Sequence, residues 1–305
     1  MILYKFRTFV TTYYFTKLNK KALFLYGLYY PYKSNGAKMY WWLFRNFFFI
    51  RTLTATNSSK VKFQFELIHK LTGNATYLSF NMGSPGNEQK ISILGYDEVS
   101  GSPFFAKFSE KPAAILLSLN EIKVLETLKD TGLTPTLLDK RITNKYVFFK
   151  TEYIDGTKSN STELTDEIFE FLINLSSYDL TTKKNTEVGL ILVLSHGDFC
   201  PWNMLVKDNK LRLIDWEMAM DRVLGYDLFT FIFQTSFLLS TEIHVEKIFT
   251  DNSERIIQYF EHFKIYDFLP YLKCFSKCKI EIEILKKNQI LVLKYTELFN
   301  YSKYY

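Results

Sequence analysis

The sequence is poor in the residues that build disulfide scaffolds and zinc sites. Only three cysteines and four histidines occur among its 305 residues. Cys200, Cys274 and Cys278 form an odd set with one spacing of four residues, which fits neither a disulfide framework nor a zinc site. These absences predict a reducing compartment.

Long apolar runs are also missing. The richest stretch, residues 39–53, is broken by basic and polar side chains and falls short of the roughly 18 to 20 uninterrupted apolar residues of a membrane span. The N-terminus lacks a clean apolar region followed by a small-residue cleavage site, so we expect no secretory signal. A cytoplasmic protein is the expectation, with a transit-like peptide as the alternative.

Acidic residues are missing from the start of the chain. Residues 1–60 contain no Asp or Glu, ten Lys or Arg and 18 of the 54 aromatic residues. Basic side chains are attracted to anionic lipid, and Trp and Tyr favour the headgroup boundary. We therefore expect peripheral contact of this basic aromatic segment with the inner membrane face. The alternative is that its aromatic residues pack against the rest of the protein while its lysines face water.

The remaining chain divides into a strand-rich and a helix-rich part. A polar stretch, Thr54–Lys60, predicts a linker. Strands are predicted at 76–82, 90–97, 104–108 and 146–154 and helices at 112–129, 163–176, 227–239, 253–263 and 285–299. We expect an α+β fold with the basic aromatic segment (1–60), a small antiparallel β N-lobe (61–155) and a mainly helical C-lobe (156–305).

A short β segment between two predicted helices concentrates the chemistry. Residues 194–217 read LSHGDFCPWNMLVKDNKLRLIDWE, and Asp208-Asn209 makes a good two-residue hairpin turn. Counting outward from that turn places Asn203 opposite Ile214, next to Asp215. Directly opposed residues lie about 5 Å apart, so Asn203 and Asp215 can reach one hard cation. Such oxygen ligands suit magnesium that is bound jointly with substrate phosphates.

A second acid, Asp198, precedes this hairpin. It lies five residues before Asn203 in a loop constrained by Gly197 and Pro201. Phosphoryl transfer requires positioning, charge neutralisation and a carboxylate that accepts the proton of the acceptor hydroxyl. Asp198 suits that last role and is predicted to be the catalytic base. The alternative is a surface turn whose Asp and Asn side chains only cap backbone groups.

The two motifs together resemble a known family. His196–Asn203, HGDFCPWN, is similar to the catalytic loop of the aminoglycoside phosphotransferase and choline kinase family, and Ile214–Glu217, IDWE, to its metal-binding motif. The related protein-kinase loop uses its Asp as base and its Asn as metal ligand. The resemblance covers roughly residues 70–240 and implies a two-lobed protein-kinase-like fold with ATP and Mg²⁺ as cofactors. It also implies that His196 holds the loop and that Asp227 caps the next helix.

A kinase-like fold also needs nucleotide-binding groups upstream. Lys107 lies in an apolar strand, where a lysine needs an anionic partner, and Glu121 lies in the apolar stripe of the next helix. We predict that they pair to bind the nucleotide; a snorkelling lysine and a rim glutamate are the alternative. Gly83 and Gly86 occupy the place of the loop that covers the phosphates. Their turn lacks a G-x-G-x-x-G pattern, so a plain hairpin turn stays open.

The sequence indicates the acceptor-binding residues less clearly than the metal-binding ones. Trp202, Trp216 and Glu217 flank the metal site and are candidates for acceptor binding, with core packing and a solvated acidic rim as the alternatives. We expect an ATP- and Mg²⁺-dependent O-phosphotransferase acting on a small-molecule or glycan hydroxyl, in cell-envelope polysaccharide or lipid-linked metabolism. The alternative is a catalytically inactive, kinase-like nucleotide-binding protein. Nucleic acid is not an expected partner, because it would leave the metal residues unexplained.

Overall fold

The protein folds as two compact units. The structure, a computed structural model, describes residues 3–7, 12–16, 20–27, 39, 42–43, 46–47, 49, 55–56, 59–73, 76–159, 161–178, 184–185, 187, 189–208, 210–239 and 244–302. The first unit comprises Met1–Lys129 and Pro135–Tyr153, and the second comprises Asp130–Thr134 and Ile154–Tyr305. The three expected regions, with boundaries at 60 and 155, remain predictions.

An eight-stranded antiparallel sheet forms the centre of the first unit. Its strands are β1 (Leu3–Arg7), β2 (Thr12–Thr16), β3 (Ala55–Thr56), β4 (Thr76–Asn81), β5 (Ile91–Asp97), β6 (Ser102–Ser109), β7 (Leu137–Ile142) and β8 (Val147–Glu152). They lie in the order β3-β1-β2-β4-β5-β6-β8-β7. The predicted meander is therefore present as β4, β5 and β6, which pair in chain order.

The sheet buries one face against a helix. Apolar residues alternate along its central strands, which is the pattern of a sheet with one covered face. Helix α1 (Ser59–Thr72) covers that face with Phe65 and Ile68, both fully buried. The sheet residues of this core include Leu78, Phe80, Ile91, Ile93, Phe104, Ala106, Phe108 and Phe148.

Part of the basic aromatic segment belongs to this sheet. Tyr14 of β2 is buried, and its ring lies 5.2 Å from that of Phe65. The prediction of a linker at Thr54–Lys60 is wrong, because β3 pairs with β1 and α1 begins at Ser59. Among the described residues, aromatic side chains of this segment pack against the rest of the protein, as the alternative predicts. Burial on a sheet face stabilises an aromatic side chain relative to exposure to water. Much of the segment, including most of residues 28–54, lies outside the described residues.

Helix α2 (Pro112–Thr127) completes the first unit and matches its predicted start. Pro112 occupies the first turn, where its missing N–H has no helical partner to lose. Gly132 follows the helix at φ +71°, a conformation that favours glycine. Strand β7 was not predicted, because its sequence, LLDKRI, carries three charged side chains and has no clean alternation.

The second unit is mainly helical. Its helices are α3 (Asp166–Ser177), α4 (Tyr226–Phe229), α5 (Thr235–Leu239), α6 (Val245–His262), α7 (Leu269–Leu285) and α8 (Gln289–Tyr301). A π-helical turn, Thr230–Gln234, joins α4 to α5. Two three-stranded sheets contain β9 (Thr157–Lys158), β12 (Met204–Lys207) and β13 (Lys210–Leu213), and β10 (Lys184–Asn185), β11 (Ile191–Ser195) and β14 (Met220–Val223).

The predicted fold class is confirmed, with corrections in the helical part. Along the chain, a unit built on an antiparallel sheet precedes a mainly helical unit, which is the predicted α+β arrangement. Helix α6 begins at Val245 rather than at 253, and α7 was missed. The end of α7 reads IEIEI over residues 280–284, and this alternation is typical of a strand. Within the described part of the chain, no helix combines the length and apolarity needed to cross a bilayer.

Gly95 gives a test of the first unit's packing. It lies opposite Phe104, and a β-carbon at Gly95 would overlap the buried Phe104 ring. We expect Gly95→Ala to displace that ring and destabilise the protein by about 1–3 kcal/mol, as overpacking does. The midpoint of urea unfolding, followed by circular dichroism, measures this. Gly86→Ala is the control, because a β-carbon there meets only open space; equal midpoints for the two variants would contradict the packing.

Candidate active site

The first unit contains a buried ion pair. Lys107 on β6 and Glu121 on α2 are each only 4 % exposed. The lysine Nζ donates to both carboxylate oxygens of Glu121, at 2.9 and 2.6 Å. The predicted pairing is therefore present. Glu126, a second glutamate of the same helix, is exposed and pairs with Lys140.

The turn between β4 and β5 contains the two glycines proposed for phosphate contact. Gly83 has φ +65°, and a β-carbon there would lie 2.7 Å from the carbonyl oxygen of Lys90, so the turn itself requires glycine. The Gly86 carbonyl accepts a hydrogen bond from Lys111 Nζ at 2.6 Å. Local backbone geometry therefore accounts for Gly83, and the role of both residues toward a nucleotide stays a prediction.

The loop that carries Asp198 leaves the end of β11 in the second unit. Ser195 closes that strand opposite Met220 of β14. Gly197 follows at φ +83°, and a β-carbon there would collide with the carbonyl oxygen of Met218. Only glycine fits at this position, because the loop passes directly against the chain that follows Asp215.

His196 ties the loop to the chain before Asp215. Its ring is fully buried and packs edge-on against Trp216 at 4.8 Å. Nδ1 lies 3.3 Å from the backbone N–H of Asp198 and accepts from it. Nε2 lies 3.0 Å from the carbonyl oxygen of Ile214, which can only accept, so Nε2 carries the proton. Two hydrogen bonds therefore support the loop-holding role of His196 that the resemblance implied.

Asp227 holds the other side of the same loop. The resemblance implied that it caps the following helix. Its buried carboxylate instead accepts hydrogen bonds from Ser195 Oγ at 2.7 Å, from the backbone N–H of His196 at 2.6 Å and from that of Gly197 at 3.0 Å. The start of α4 is thereby fixed to the loop that carries Asp198.

The hairpin after the loop has the predicted register. Lys207 lies opposite Lys210, and the backbone N–H of Ile214 donates to the carbonyl of Asn203 at 3.0 Å. The Asn203 amide nitrogen donates to the Asp198 backbone carbonyl and to its Oδ2, both at 2.9 Å. Asp198 and Asn203 are therefore in direct contact, and Asp198 is half-buried.

The oxygen donors near the end of the hairpin fit a hard cation. The Asn203 nitrogen donates to Asp198, so its amide oxygen is the atom that could coordinate a cation. Asp215 has φ +69°, a left-handed conformation that Asp tolerates better than most residues. Its carboxylate and that of Glu217 offer oxygens within 4.8 Å of each other. Carboxylate and amide oxygens of this kind suit magnesium.

The two tryptophans proposed for acceptor binding differ in burial. Trp216 is fully buried, and its indole N–H donates to the Leu213 carbonyl at 2.8 Å. This environment fits the core packing that the sequence leaves open as its alternative. Trp202 and Glu217 are half-buried, and their contact with an acceptor stays a prediction.

Two residues next to Asp198 were missed by sequence reasoning. Gln234, at the end of the π-helical turn, donates from Nε2 to Asp198 Oδ1 at 2.8 Å. Lys279 of α7 donates from Nζ to Gln234 Oε1 at 2.6 Å. The sequence does contain a signal for Lys279. Leu272, Phe275 and Lys279 have the spacing of one buried helix face, and a lysine on such a face needs a partner.

A comparison with protein families bears on this segment. Residues 185–244 match the profile described as "Phosphotransferase enzyme family". They contain Asp198, Asn203 and Asp215. No curated protein matches the chain in sequence.

Several solved structures match with low identity. An aminoglycoside-3'-phosphotransferase of type VIII is 15% identical, with a TM-score of 0.38, over 45% of this chain and 70% of that one. The ethanolamine kinase of Plasmodium vivax is 12% identical, with a TM-score of 0.49, over 74% and 81%. An aminoglycoside phosphotransferase of Streptomyces rimosus is 12% identical, with a TM-score of 0.41, over 68% and 89%. The resemblance predicted from the two motifs is thus confirmed over residues 185–244, where the chain is similar to the phosphotransferase enzyme family.

Proposed function

We propose that this protein is an ATP- and Mg²⁺-dependent O-phosphotransferase that acts on the hydroxyl of a small molecule or glycan. The observation that carries the proposal is the contact of Asn203 with Asp198, inside the segment that matches the phosphotransferase family. This contact joins a candidate base to a candidate metal ligand. A surface turn whose Asp and Asn only cap backbone groups would not require a buried His196 and Asp227 behind it.

Asp198 is the proposed catalytic base. Its carboxylate is half-buried and held on both oxygens by amide donors, Asn203 on Oδ2 and Gln234 on Oδ1. A carboxylate held in this way can accept the proton of an acceptor hydroxyl as the oxygen attacks phosphorus. The proton passes to Asp198, the new O–P bond forms, and the bond to the leaving phosphate oxygen breaks.

Asn203 and Asp215 are the proposed magnesium ligands. A bound Mg²⁺ neutralises charge on the phosphates of the nucleotide. In this chain, Asn203 presents its amide oxygen because its nitrogen is committed to Asp198, and Asp215 supplies a formal negative charge. The proximity of Glu217 to Asp215 raises the local negative charge further, which favours a divalent cation over a monovalent one.

Lys107 is the proposed contact to the nucleotide phosphates, oriented by Glu121. A buried lysine that donates to both oxygens of one carboxylate is held in a single position. Gly83 and Gly86 are proposed to approach the phosphates through their backbone. The complete set of competent side chains supports an active enzyme over an inactive kinase-like binding protein.

The acceptor is proposed as a class only. Trp202 and Glu217 are the residues proposed to contact it. A lipid-linked or cell-envelope acceptor would follow if residues 1–60 contact an anionic membrane face, a hypothesis motivated by their ten basic and absent acidic residues. Salt-sensitive sedimentation with anionic vesicles tests that hypothesis, and binding that is unchanged at high salt would reject electrostatic contact.

Removal of the base gives the first test of the function. We expect Asp198→Asn to bind Mg-ATP but to lower kcat by about 10²- to 10⁴-fold, since an amide cannot accept the hydroxyl proton. ATP consumption by purified protein is measured against a panel of hydroxylated acceptors, with calorimetry for nucleotide binding. Wild-type turnover in the variant would exclude Asp198 as base, and no turnover of any acceptor by the wild type would favour the inactive alternative.

Removal of the metal ligand's charge gives the second test. We expect Asp215→Asn to weaken ATP binding by about 10-fold or more, but only when Mg²⁺ is present, because one charge-assisted contact is lost. Asn tolerates the left-handed backbone at this position. Asp208→Asn is the matched control, since Asp208 has φ +51° on the same hairpin and is exposed. Equal Mg-ATP affinity in the two variants, measured by calorimetric titration, would reject the metal assignment.

The ion pair of the first unit gives the third test. Lys107→Met and Glu121→Gln should each lower kcat/KM, and the double variant should lose little more than either one, because both remove one interaction. The controls are Lys140→Met and Glu126→Gln, which change an exposed ion pair. Each should keep kcat/KM within about twofold of the wild type. Additive losses at Lys107 and Glu121 would show that the two residues act separately.

A further inference from the structure

Gln234 lies between a buried cation and the proposed base. Its Nε2 lies 2.8 Å from Asp198 Oδ1, and its Oε1 lies 2.6 Å from Lys279 Nζ. The amide nitrogen also donates to the Cys200 sulfur at 3.3 Å. Gln234 therefore connects α7 to the catalytic loop through three hydrogen bonds. In the phosphoryl transfer derived above, Gln234 enters only as a donor to Asp198 Oδ1, and Lys279 has no role.

The direction of these hydrogen bonds is fixed by Lys279. An amide side chain can turn over and exchange its oxygen for its nitrogen at little steric expense. An ammonium group only donates, so it accepts no contact from Nε2 and holds the oxygen on its own side. The Gln234 nitrogen must then face Asp198. Without Lys279, the amide oxygen could face the Asp198 carboxylate, where two acceptors would repel each other.

Both oxygens of Asp198 are then fixed by amide donors. Asn203 donates to Oδ2 at 2.9 Å, and Gln234 donates to Oδ1. The Cys200 thiol lies 3.6 Å from the same Oδ1, and burial raises the pKa of that thiol, so it stays protonated and donates. The carboxylate cannot rotate about its last bond without breaking these contacts.

The backbone carrying Gln234 is unusual. Gln234 is the last residue of the π-helical turn Thr230–Gln234, which interrupts the helix between α4 and α5. A π-turn inserts an extra residue, shifts the side chains that follow it and frequently occurs at functional sites. Here the chain tolerates a less regular helix, and the side chain of Gln234, at the end of the turn, reaches the catalytic loop.

Lys279 is held in surroundings that disfavour its charge. It is 4 % exposed, and burial lowers its pKa to about 8. The negative charge of Asp198 raises that pKa, while the positive charges of Arg222 and Lys286 lower it further. The rings of Tyr226 and Phe275 lie 5.0 and 5.6 Å from its Nζ. Buried cations are rare unless they are paired, and the partner that Lys279 contacts directly is the amide that reaches Asp198.

We propose that Gln234 and Lys279 are positioning residues that hold the Asp198 carboxylate in the orientation in which it accepts the acceptor's hydroxyl proton. The proposal rests on the proposed function. Gln234 fixes Oδ1 directly, and Lys279 fixes the direction of the Gln234 amide. A purely structural role would instead place Lys279 in the core for its contacts with Tyr226 and Phe275.

Gln234→Glu separates these two roles. Glutamate keeps the shape of the side chain and its contact with Lys279, but it has no N–H to donate to Asp198. We expect kcat to fall about 10- to 100-fold, the scale of a misplaced reacting group, while KM for ATP stays within about twofold. Lys279→Met should lower kcat similarly, and the double variant should lose little more, since both break one chain of contacts.

Lys277→Met is the matched control, because Lys277 is an exposed lysine on the same helix. It should keep wild-type kcat. Thermal unfolding of every variant is measured in parallel. Two results would overturn the proposal while leaving the proposed function intact. One is a wild-type kcat in Gln234→Glu, and the other is a Lys279→Met variant that has a lower melting temperature but a wild-type kcat. A wild-type protein that turns over no acceptor would overturn both.

A second measurement reports on the contacts without activity. The titration of Lys279 is followed by NMR of ¹³Cε-labelled lysine, assigned with Lys279→Met. Because the negative charge of Asp198 raises the pKa of Lys279, Asp198→Asn should lower that pKa relative to the wild type. Glu281→Gln, an exposed acid on the same helix, should leave it unchanged. An unchanged Lys279 pKa in Asp198→Asn would overturn the proposal even for an active enzyme.

Discussion

The carboxylate of Asp227 is the group on which the catalytic loop depends. It accepts from the hydroxyl of Ser195 and from two consecutive backbone N–H groups, those of His196 and Gly197. These donors are buried, and each would cost about 1–3 kcal/mol if left unsatisfied. Asp227 belongs to the first turn of α4, so the loop and the helix that leads to Gln234 form one hydrogen-bonded body. The position of Asp198 relative to Gln234 follows from that connection.

The loop is held from the opposite side by His196 and Gly197. The imidazole accepts from the N–H of Asp198 and donates to Ile214, so it connects the chain before the base to the chain before Asp215. Gly197 permits the close approach to Met218 that brings those two chains together. Contacts within the second unit thus fix Asp198, the proposed base, together with the proposed metal ligands Asn203 and Asp215. The short motif is conspicuous because so few residue types satisfy these contacts.

Local regularities explain which elements could be predicted. The hairpin register follows from one turn and a period of two, and the pairing of Lys107 with Glu121 follows from a charge in an apolar strand and a carboxylate in an apolar stripe. Strands β1 and β2 pair with each other, but β2 joins the rest of the sheet through β4, where Tyr13 lies opposite Asn81. They could not be predicted because that pairing is distant in sequence and because the charge of residues 1–60 suggested a membrane surface instead. Helix α7 was missed because the IEIEI alternation at its end favours a strand, and packing against α8 decided the outcome instead.

The contacts of Asp198 likewise divide into local ones, which a motif contains, and distant ones, which it does not. Every contact that Asp198 makes within the loop, with His196, Cys200 and Asn203, lies within five residues, so a motif can encode it. Its contact with Gln234 spans 36 residues, and Lys279 lies 45 residues further. The motif therefore contains the groups proposed to take part in the chemistry, while the Asp198 carboxylate also contacts Gln234, which lies outside the motif. Another chain could share the sequence His196–Asn203 and differ at the positions of Gln234 and Lys279. Its aspartate would then be held with different rigidity, and substitutions confined to residues 196–203 cannot reveal that difference.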